Sequence, residues 1–313
     1  MPFTKKLQKF NAKKRTVELG TGDKAVKLGG GNTFPFYTFD GPTENTAKIG
    51  IEISDTGLAN EPDCIKAFYE GCESVVEIAK KAATVEGVDF VVLKLDGGDP
   101  NGEDKPVEDL VETAKAVSDA IDLPLVVEGC KNVQKDAALL PKVAEALQGK
   151  NVLLMSAREE DYKNIAAAAG LAYDQLIGAE SAVDINLAKQ LNVLIKQLGV
   201  DTGKIVMNVG SAAAGYGFDY VISTMDRVTA AALGQADDSL LMPIITPVSS
   251  ETWSVKEASA SEEDEPAWGP VEERGIDMEI ETAVACLTCG SDAVILKHPT
   301  SIATVAKLIQ ALN

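Results

Sequence analysis

Eight short runs rich in Val, Ile and Leu, each followed by an amphipathic helical pattern, set the tightest limit on what this chain can fold into. The runs fall at 49–54, 90–95, 124–130, 151–157, 175–179, 205–210, 241–246 and 293–298. After the first, Ile65, Phe68, Tyr69 and Cys72 recur at i, i+3, i+4 and i+7, the stripe of a helix packed on one side. After the fifth, the stretch from Ile185 to Ile195 again repeats apolar residues at helical spacing. Strict alternation of strand and helix implies a parallel sheet, because each helix carries the chain back across it. Eight such units close into an α/β (β/α)8 (TIM) barrel, which takes about 250 residues. The barrel is placed at 48–313. Residues 1–47 form an extension with its own alternating strand at 33–39, read as a hairpin across the barrel. The segment 247–271 reads as a long, exposed and mobile acidic loop after the seventh strand. Trp253 and Trp268 lie in it, either as anchors for a partner or as packing on the barrel rim.

Side chains alternate across a strand, and the helix-facing side of a barrel strand must be apolar. In the run 90–95, Val91, Leu93 and Leu95 take the helix side, so Lys94 and Asp96 face inward. The same reasoning turns Glu52, Ser54, Glu128, Cys130, Ser156 and Asn208 inward. Most of these lie near the C-terminal ends of their strands, the face on which barrel sites are built. A lysine held inside a barrel needs a carboxylate, since an unpaired buried charge is very costly. Glu52 and Glu128 are the candidates for Lys94. On that reading Lys94→Met strands an acid and destabilises by about 3–5 kcal/mol.

After Asn208 the chain has almost no side-chain bulk until Tyr216. Gly210, Ser211, Ala212, Gly215, Tyr216 and Gly217 belong to a loop whose small residues let backbone approach a large flat ligand. It is not a P-loop, which would end in Gly-Lys-Ser or Gly-Lys-Thr.

The net charge is −19, which opposes binding to nucleic acid and favours protein partners with basic faces. No apolar run approaches the ~20 residues that span a membrane, and the basic start lacks the apolar core of a signal peptide, so a cytoplasmic location is expected. The five cysteines are scattered. Only Cys286 and Cys289 are close, whereas an iron–sulfur cluster usually takes four thiolates, so no cluster and no metal site is expected in this chain. The single histidine, His298, reads as a capping or packing residue.

Two stretches carry a more specific signal. Residues 27–54 read KLGGGNTFPFYTFDGPTENTAKIGIEIS, and residues 210–220 read GSAAAGYGFDY. Together they resemble the small subunit of the corrinoid iron–sulfur protein, the delta subunit family of the acetyl-CoA decarbonylase/synthase complex. That resemblance implies a barrel paired with a large subunit that holds a [4Fe–4S] cluster and a corrinoid domain, with a cobamide between the two. It implies a methyl carrier, not a catalyst alone, serving a methyltetrahydrofolate methyltransferase and acetyl-CoA synthase in the reductive acetyl-CoA pathway. The barrel mouth would cap the corrin, with the loop from Asn208 to Gly217 against it. The Asp-x-His-x-x-Gly cobalt-ligand motif of many corrinoid proteins is absent from this sequence. Two other readings of the barrel stand beside this one. A dihydropteroate synthase-like, pterin-dependent methyltransferase could use Asp96 and Asn208. An aldolase could use Lys94 or Lys297.

Overall fold

The computed structural model describes residue 4 and residues 6–313. Its strands are β1 (Thr16–Leu19), β2 (Val26–Gly29), β3 (Lys48–Ser54), β4 (Phe90–Lys94), β5 (Leu125–Glu128), β6 (Leu153–Ala157), β7 (Leu176–Glu180), β8 (Ile205–Asn208), β9 (Ile245–Pro247) and β10 (Ala293–Leu296). The helices are α1 (Asp63–Phe68), α2 (Val75–Ala82), α3 (Val107–Ala120), α4 (Val133–Ala146), α5 (Tyr162–Ala166), α6 (Ile185–Gln197), α7 (Phe218–Gly234), α8 (Ser249–Thr252), α9 (Lys256–Ser259), α10 (Val271–Cys289) and α11 (Pro299–Leu312). Strands β3 to β10 form one parallel sheet in the order β8-β7-β6-β5-β4-β3-β10-β9. A parallel bridge from Met207 to Ile244, beside the 2.8 Å bond from Met207 N–H to Pro243 C=O, brings the two edges together. The result is the expected eight-stranded α/β barrel. Closure removes the sheet edges that would otherwise present unpaired backbone groups.

Two apolar cores follow from the strand alternation. The larger lies between strands and helices and takes Val91 and Leu93 of β4, Val127 of β5 and Ile177 of β7. The smaller fills the barrel with Phe90, Val92, Val126, Leu153, Met155, Leu176, Val206, Ile245, Ala293 and Ile295. Local capping fixes where the helices begin. Ser74 and Glu77 form a reciprocal capping box on α2, and Asp184 accepts from the first amides of α6.

The extension differs from the sequence expectation. Its hairpin is β1 with β2, paired antiparallel from Thr16↔Gly29 to Leu19↔Val26. Residues 33–39 form turns instead of a strand. Pro35 removes a backbone donor, Phe36 sits at φ 59, and Tyr37 N–H returns to Phe34 C=O. The aromatic alternation there serves ring contacts: Phe10, Phe34, Tyr37 and Phe39 meet in sequence, edge-on or tilted, with ring centroids 5.0–5.8 Å apart. The hairpin places Val17, Leu19 and Leu28 against the barrel-filling residues. Bonds from Arg15 N–H to Leu241 C=O and from Gly20 N–H to Asn151 C=O tie it to the segments just before β9 and β6. It therefore floors the N-terminal end of the barrel and leaves the opposite end as the open mouth.

The segment 247–271 also departs from expectation. It holds α8, α9 and a short turn of helix at Pro266–Trp268. Ser249, Thr252 and Trp253 are buried, so its first part folds down onto the mouth. Trp268 is partly exposed, with Lys256 and Arg274 over its ring.

Candidate functional site at the barrel mouth

The inward positions at the C-terminal strand ends carry Glu52, Lys94, Glu128, Glu180, Asn208 and Lys297. Alternation explains each of them: Val92 and Lys94, Val126 and Glu128, and Val206 and Asn208 are pairs two residues apart with the apolar member in the barrel. Lys297 follows Ala293 and Ile295 on the same face.

One side of the mouth is an ion-pair network. Glu52 is buried and its carboxylate lies 3.2 Å from Lys297 Nζ and 3.9 Å from Lys94 Nζ. Ser249 and Ser250 hydroxyls donate to Glu52 Oε2 at 2.7 and 2.9 Å. Lys297 also meets Glu61 at 2.7 Å, and Lys94 meets Asp96 at 3.4 Å. Burial alone would raise the Glu52 carboxyl, but Lys297, Lys94 and the two serines hold it down at about 2. Burial likewise opposes the charges of both lysines, yet the surrounding carboxylates hold Lys94 and Lys297 above their usual range. Neither amine is free to act as a nucleophile, which must first lose its proton. The aldolase reading finds no support in this geometry. A cavity of about 720 Å³ opens above the network, bounded by Glu61, Trp253, Glu262 and Glu272.

The other side is a smaller hollow of about 220 Å³, lined by Glu128, Lys131, Glu180, Ala182, Val183, Asn208, Gly210, Ser211, Pro247 and Glu251. Three of the loop residues singled out in the sequence, Asn208, Gly210 and Ser211, meet here. Asn208 is buried, and its Oδ1 accepts from Gly210 N–H at 3.0 Å. Gly210 sits at φ 98, and a Cβ there would lie 2.8 Å from Val183 Cγ2 and 3.1 Å from Val183 N, so only glycine fits. Ala212 instead packs against the outer core. Gly215, Tyr216 and Gly217 lie further along, where Gly217 precedes α7 and Tyr216 hydroxyl donates to Glu257 at 2.6 Å.

One other inward assignment changes. Cys130 donates from Sγ to Asp136 Oδ1 on α4 at 3.3 Å and so turns away from the mouth. In β6 it is Met155 that joins Leu153 inside the barrel. Ser156 is buried, and a register shift between Leu154 and Ala157 interrupts the alternation at that position. His298 caps α11 by accepting from Thr300 N–H at Nδ1, and it stacks on Trp253.

Sequence reasoning missed Glu180, the serines on Glu52, and Glu279. Glu279 is buried on α10 and accepts from the Lys297 and His298 amides at 2.6 and 3.1 Å. Glu180 was within reach, because Leu176, Gly178 and Glu180 alternate. The serines were hidden by reading 247–271 as exposed.

Burial pushes the carboxyls of Glu128 and Glu279 up to about 7. Unfolded, both release their protons in the ordinary carboxylate range, so the folded chain binds more protons between that range and about 7. Stability should therefore fall as pH rises through that window. Glu52 works in the opposite sense: its contribution is complete above the ordinary range and is lost as pH falls toward about 2. Thermal unfolding across this range should show melting temperature declining toward neutral pH, with part of the decline removed in Glu128→Gln. A melting temperature that climbs steadily to neutral pH would contradict it.

The model of the CO dehydrogenase/acetyl-CoA synthase delta subunit family matches residues 16–306. The acetyl-CoA decarbonylase/synthase complex subunit delta 1 of Methanosarcina thermophila is 33% identical over 317 residues, covering 99% of this chain and 71% of that protein. The corresponding delta subunit of Archaeoglobus fulgidus is 34% identical, covering 94% of this chain and 66% of that protein. Among solved structures, the dihydropteroate synthase of Xanthomonas albilineans with 4-aminobenzoic acid superposes with a TM-score of 0.59 at 12% identity, covering 95% of this chain and 98% of that one. The Thermus thermophilus enzyme in complex with 4-aminobenzoate gives 0.55 at 11% identity, covering 95% of this chain and 100% of that one. Identity that low speaks for the barrel alone. The relatives and the family model agree over nearly the whole chain: it belongs to the CO dehydrogenase/acetyl-CoA synthase delta subunit family.

Proposed function

We propose that this chain is the small subunit of a heterodimeric corrinoid iron–sulfur methyl carrier. In this reading its barrel mouth caps a cobamide held mainly by a large partner subunit with a [4Fe–4S] cluster and a corrinoid domain. When bound, the cobamide supplies the cobalt centre that carries the methyl group between a methyltetrahydrofolate methyltransferase and acetyl-CoA synthase. The proposed setting is the cytoplasm. Among the described residues no helix is long and apolar enough to cross a membrane, which is compatible with that setting.

The observation that carries this reading is the lip formed by Asn208, Gly210 and Ser211. Gly210 lets the chain turn flat against Val183, and Ser211 Oγ is buried without a hydrogen-bond partner among the described residues. The adjoining hollow, about 220 Å³, is too small to enclose a macrocycle but can receive groups projecting from one. These residues fit a cap over the group rather than a container for it. Asn208, Gly210, Ser211 and Ala212 would lie nearest, with Gly215, Tyr216 and Gly217 toward the rim. The pinned lysines fit the same role, because ammonium groups tied to Glu52, Glu61 and Asp96 do not present mobile acids at the mouth. The chain's own part is then to exclude water and to position the partner's ligand.

Ser211→Trp tests the assignment. The residue lies in a loop beyond the strand ends, so the barrel should still fold. Corrinoid retention by the purified heterodimer should drop, and demethylation of methyltetrahydrofolate with the methyltransferase should fall at least about tenfold, as expected for a displaced reacting centre. Full retention and full activity would place the corrin elsewhere.

A further inference from the structure

The small hollow holds more unsatisfied polarity than a covered surface needs. Glu128 is 5% exposed, and its Oε2 has no hydrogen-bond partner among the described residues. Ser211 Oγ is likewise buried and unpartnered. Both line the same space as Asn208, whose Oδ1 accepts from the Gly210 amide and whose NH₂ has no hydrogen-bond partner among the described residues. Buried polar groups in native proteins are otherwise nearly always paired. The wall opposite is built under strain: Ala182 and Val183 are consecutive non-glycine residues at φ 45 and 64, and Val183 is β-branched. Such conformations gather where a structure holds a ligand site in shape. Val183 is locked there by its N–H to Val209 C=O at 2.8 Å and by Thr224 Oγ1 donating to its carbonyl.

We propose that the hollow between Glu128, Asn208 and Ser211 is a recognition site for an uncharged carboxamide-type group, an N–H donor beside a carbonyl acceptor. In its acid form Glu128 can donate O–H to the carbonyl and accept the N–H, giving two parallel hydrogen bonds. Ser211 and the Asn208 amide complete the set. The charged groups around Glu128 are Lys94, Lys131, Glu52 and Glu180, and Glu251 lines the same hollow. Lys131 stands 3.9 Å away and is half exposed, whereas Glu180 is tied to Arg158 at 3.2 Å. Burial outweighs the two lysines, and the neighbouring acids add to it, so the carboxyl holds its proton up to about 7. A neutral ligand suits a neutral acid, and a cation does not. The source of the amide rests on the function proposed above, since a corrin carries primary carboxamides around its rim. A pterin lactam presents the same donor–acceptor pair.

Carboxyl-carbon NMR of the full chain labelled at glutamate tests this, with the Glu128 resonance assigned by its loss in Glu128→Gln. Four probes separate the sources: dicyanocobinamide, which keeps the primary amides; cobyrinic acid, which replaces them with carboxylates; 6-hydroxymethylpterin; and methylammonium. Cobinamide should shift the Glu128 signal and raise its titration midpoint, and cobyrinic acid should not. Cobinamide affinity should weaken as pH rises past about 7. Glu128→Gln, an amide that pairs in the same way, should keep the affinity and lose the pH dependence. Glu128→Leu and Ser211→Ala should each weaken binding by about tenfold, the usual effect of one lost hydrogen bond with a stranded partner. Ser211→Ala carries the test if Glu128→Leu does not fold. A response to the pterin and not to cobinamide would keep the amide site and overturn the corrinoid reading. A response to methylammonium alone, or to no probe, would overturn the amide site and leave the capping role to the Ser211→Trp experiment.

Discussion

Lys297→Met should destabilise the folded chain by about 3–5 kcal/mol, the range for removing one partner from a buried ion pair. Lys297 is the hinge of the mouth network: its ammonium lies 3.2 Å from Glu52 and 2.7 Å from Glu61. Glu52 is buried, and without Lys297 it keeps, among the described residues, Lys94 at 3.9 Å and the two serine hydroxyls. The sequence had assigned this effect to Lys94. The geometry transfers most of it, because Lys94→Met leaves Glu52 its closer partner, and the Asp96 side chain is already 42% exposed and solvated without Lys94. Lys94→Met should therefore cost clearly less than Lys297→Met. The second signature is electrostatic. With Lys297 gone, burial dominates at Glu52 and its carboxyl should titrate well above about 2, so acid unfolding should begin at higher pH. Urea unfolding at neutral pH and an acid titration measure both. Equal losses for the two lysine variants would mean that Glu52 depends no more on Lys297 than on Lys94.

The barrel was legible because its periodicity is redundant. Every strand of the barrel repeats the same message, and a misjudged boundary in one, such as the run at 241–246 that became β9 at Ile245–Pro247, does not change the count. Glu52, Lys94, Glu128 and Asn208 were legible for the same reason: alternation decides which way they point. What failed were inferences without a repeat behind them. The aromatic alternation at 33–39 looked like a strand, but Pro35 and turn bonds decide otherwise, and the rings satisfy one another. At Ser156 alternation is no guide to direction, because a register shift in β6 interrupts the period there. The polar composition of 247–271 concealed Ser249, Ser250 and Trp253, which are drawn down by a buried carboxylate and by packing on His298, contacts distant in sequence. Glu61 was invisible for the same reason, since nothing local announces that it will meet Lys297.

Phe90→Ala should cost about 3–5 kcal/mol, the range for emptying a buried aromatic position. Phe90 is fully buried inside the barrel and pairs in register with Gly50 of β3. A Cβ on Gly50 would lie 2.2 Å from Phe90 Cε2 and 2.7 Å from Cζ. The ring therefore fills the volume that β3 leaves free, and β3 contributes no residue of its own to the barrel-filling cluster. Large and small side chains facing one another are how a barrel interior reaches close packing. Gly50→Ala alone should be destabilising by about 1–3 kcal/mol or more, because an aromatic ring at 0% exposure has no direction in which to yield. The two changes should not add. With Phe90 reduced to Ala, the methyl at position 50 enters the cavity instead of colliding, and Gly50→Ala should become neutral or mildly stabilising. A double-mutant cycle by urea unfolding reads the coupling directly, and residues in contact are where such coupling is large. Additive losses would show that the ring and the glycine do not share that volume, and would remove the packing account of the barrel floor beneath the mouth.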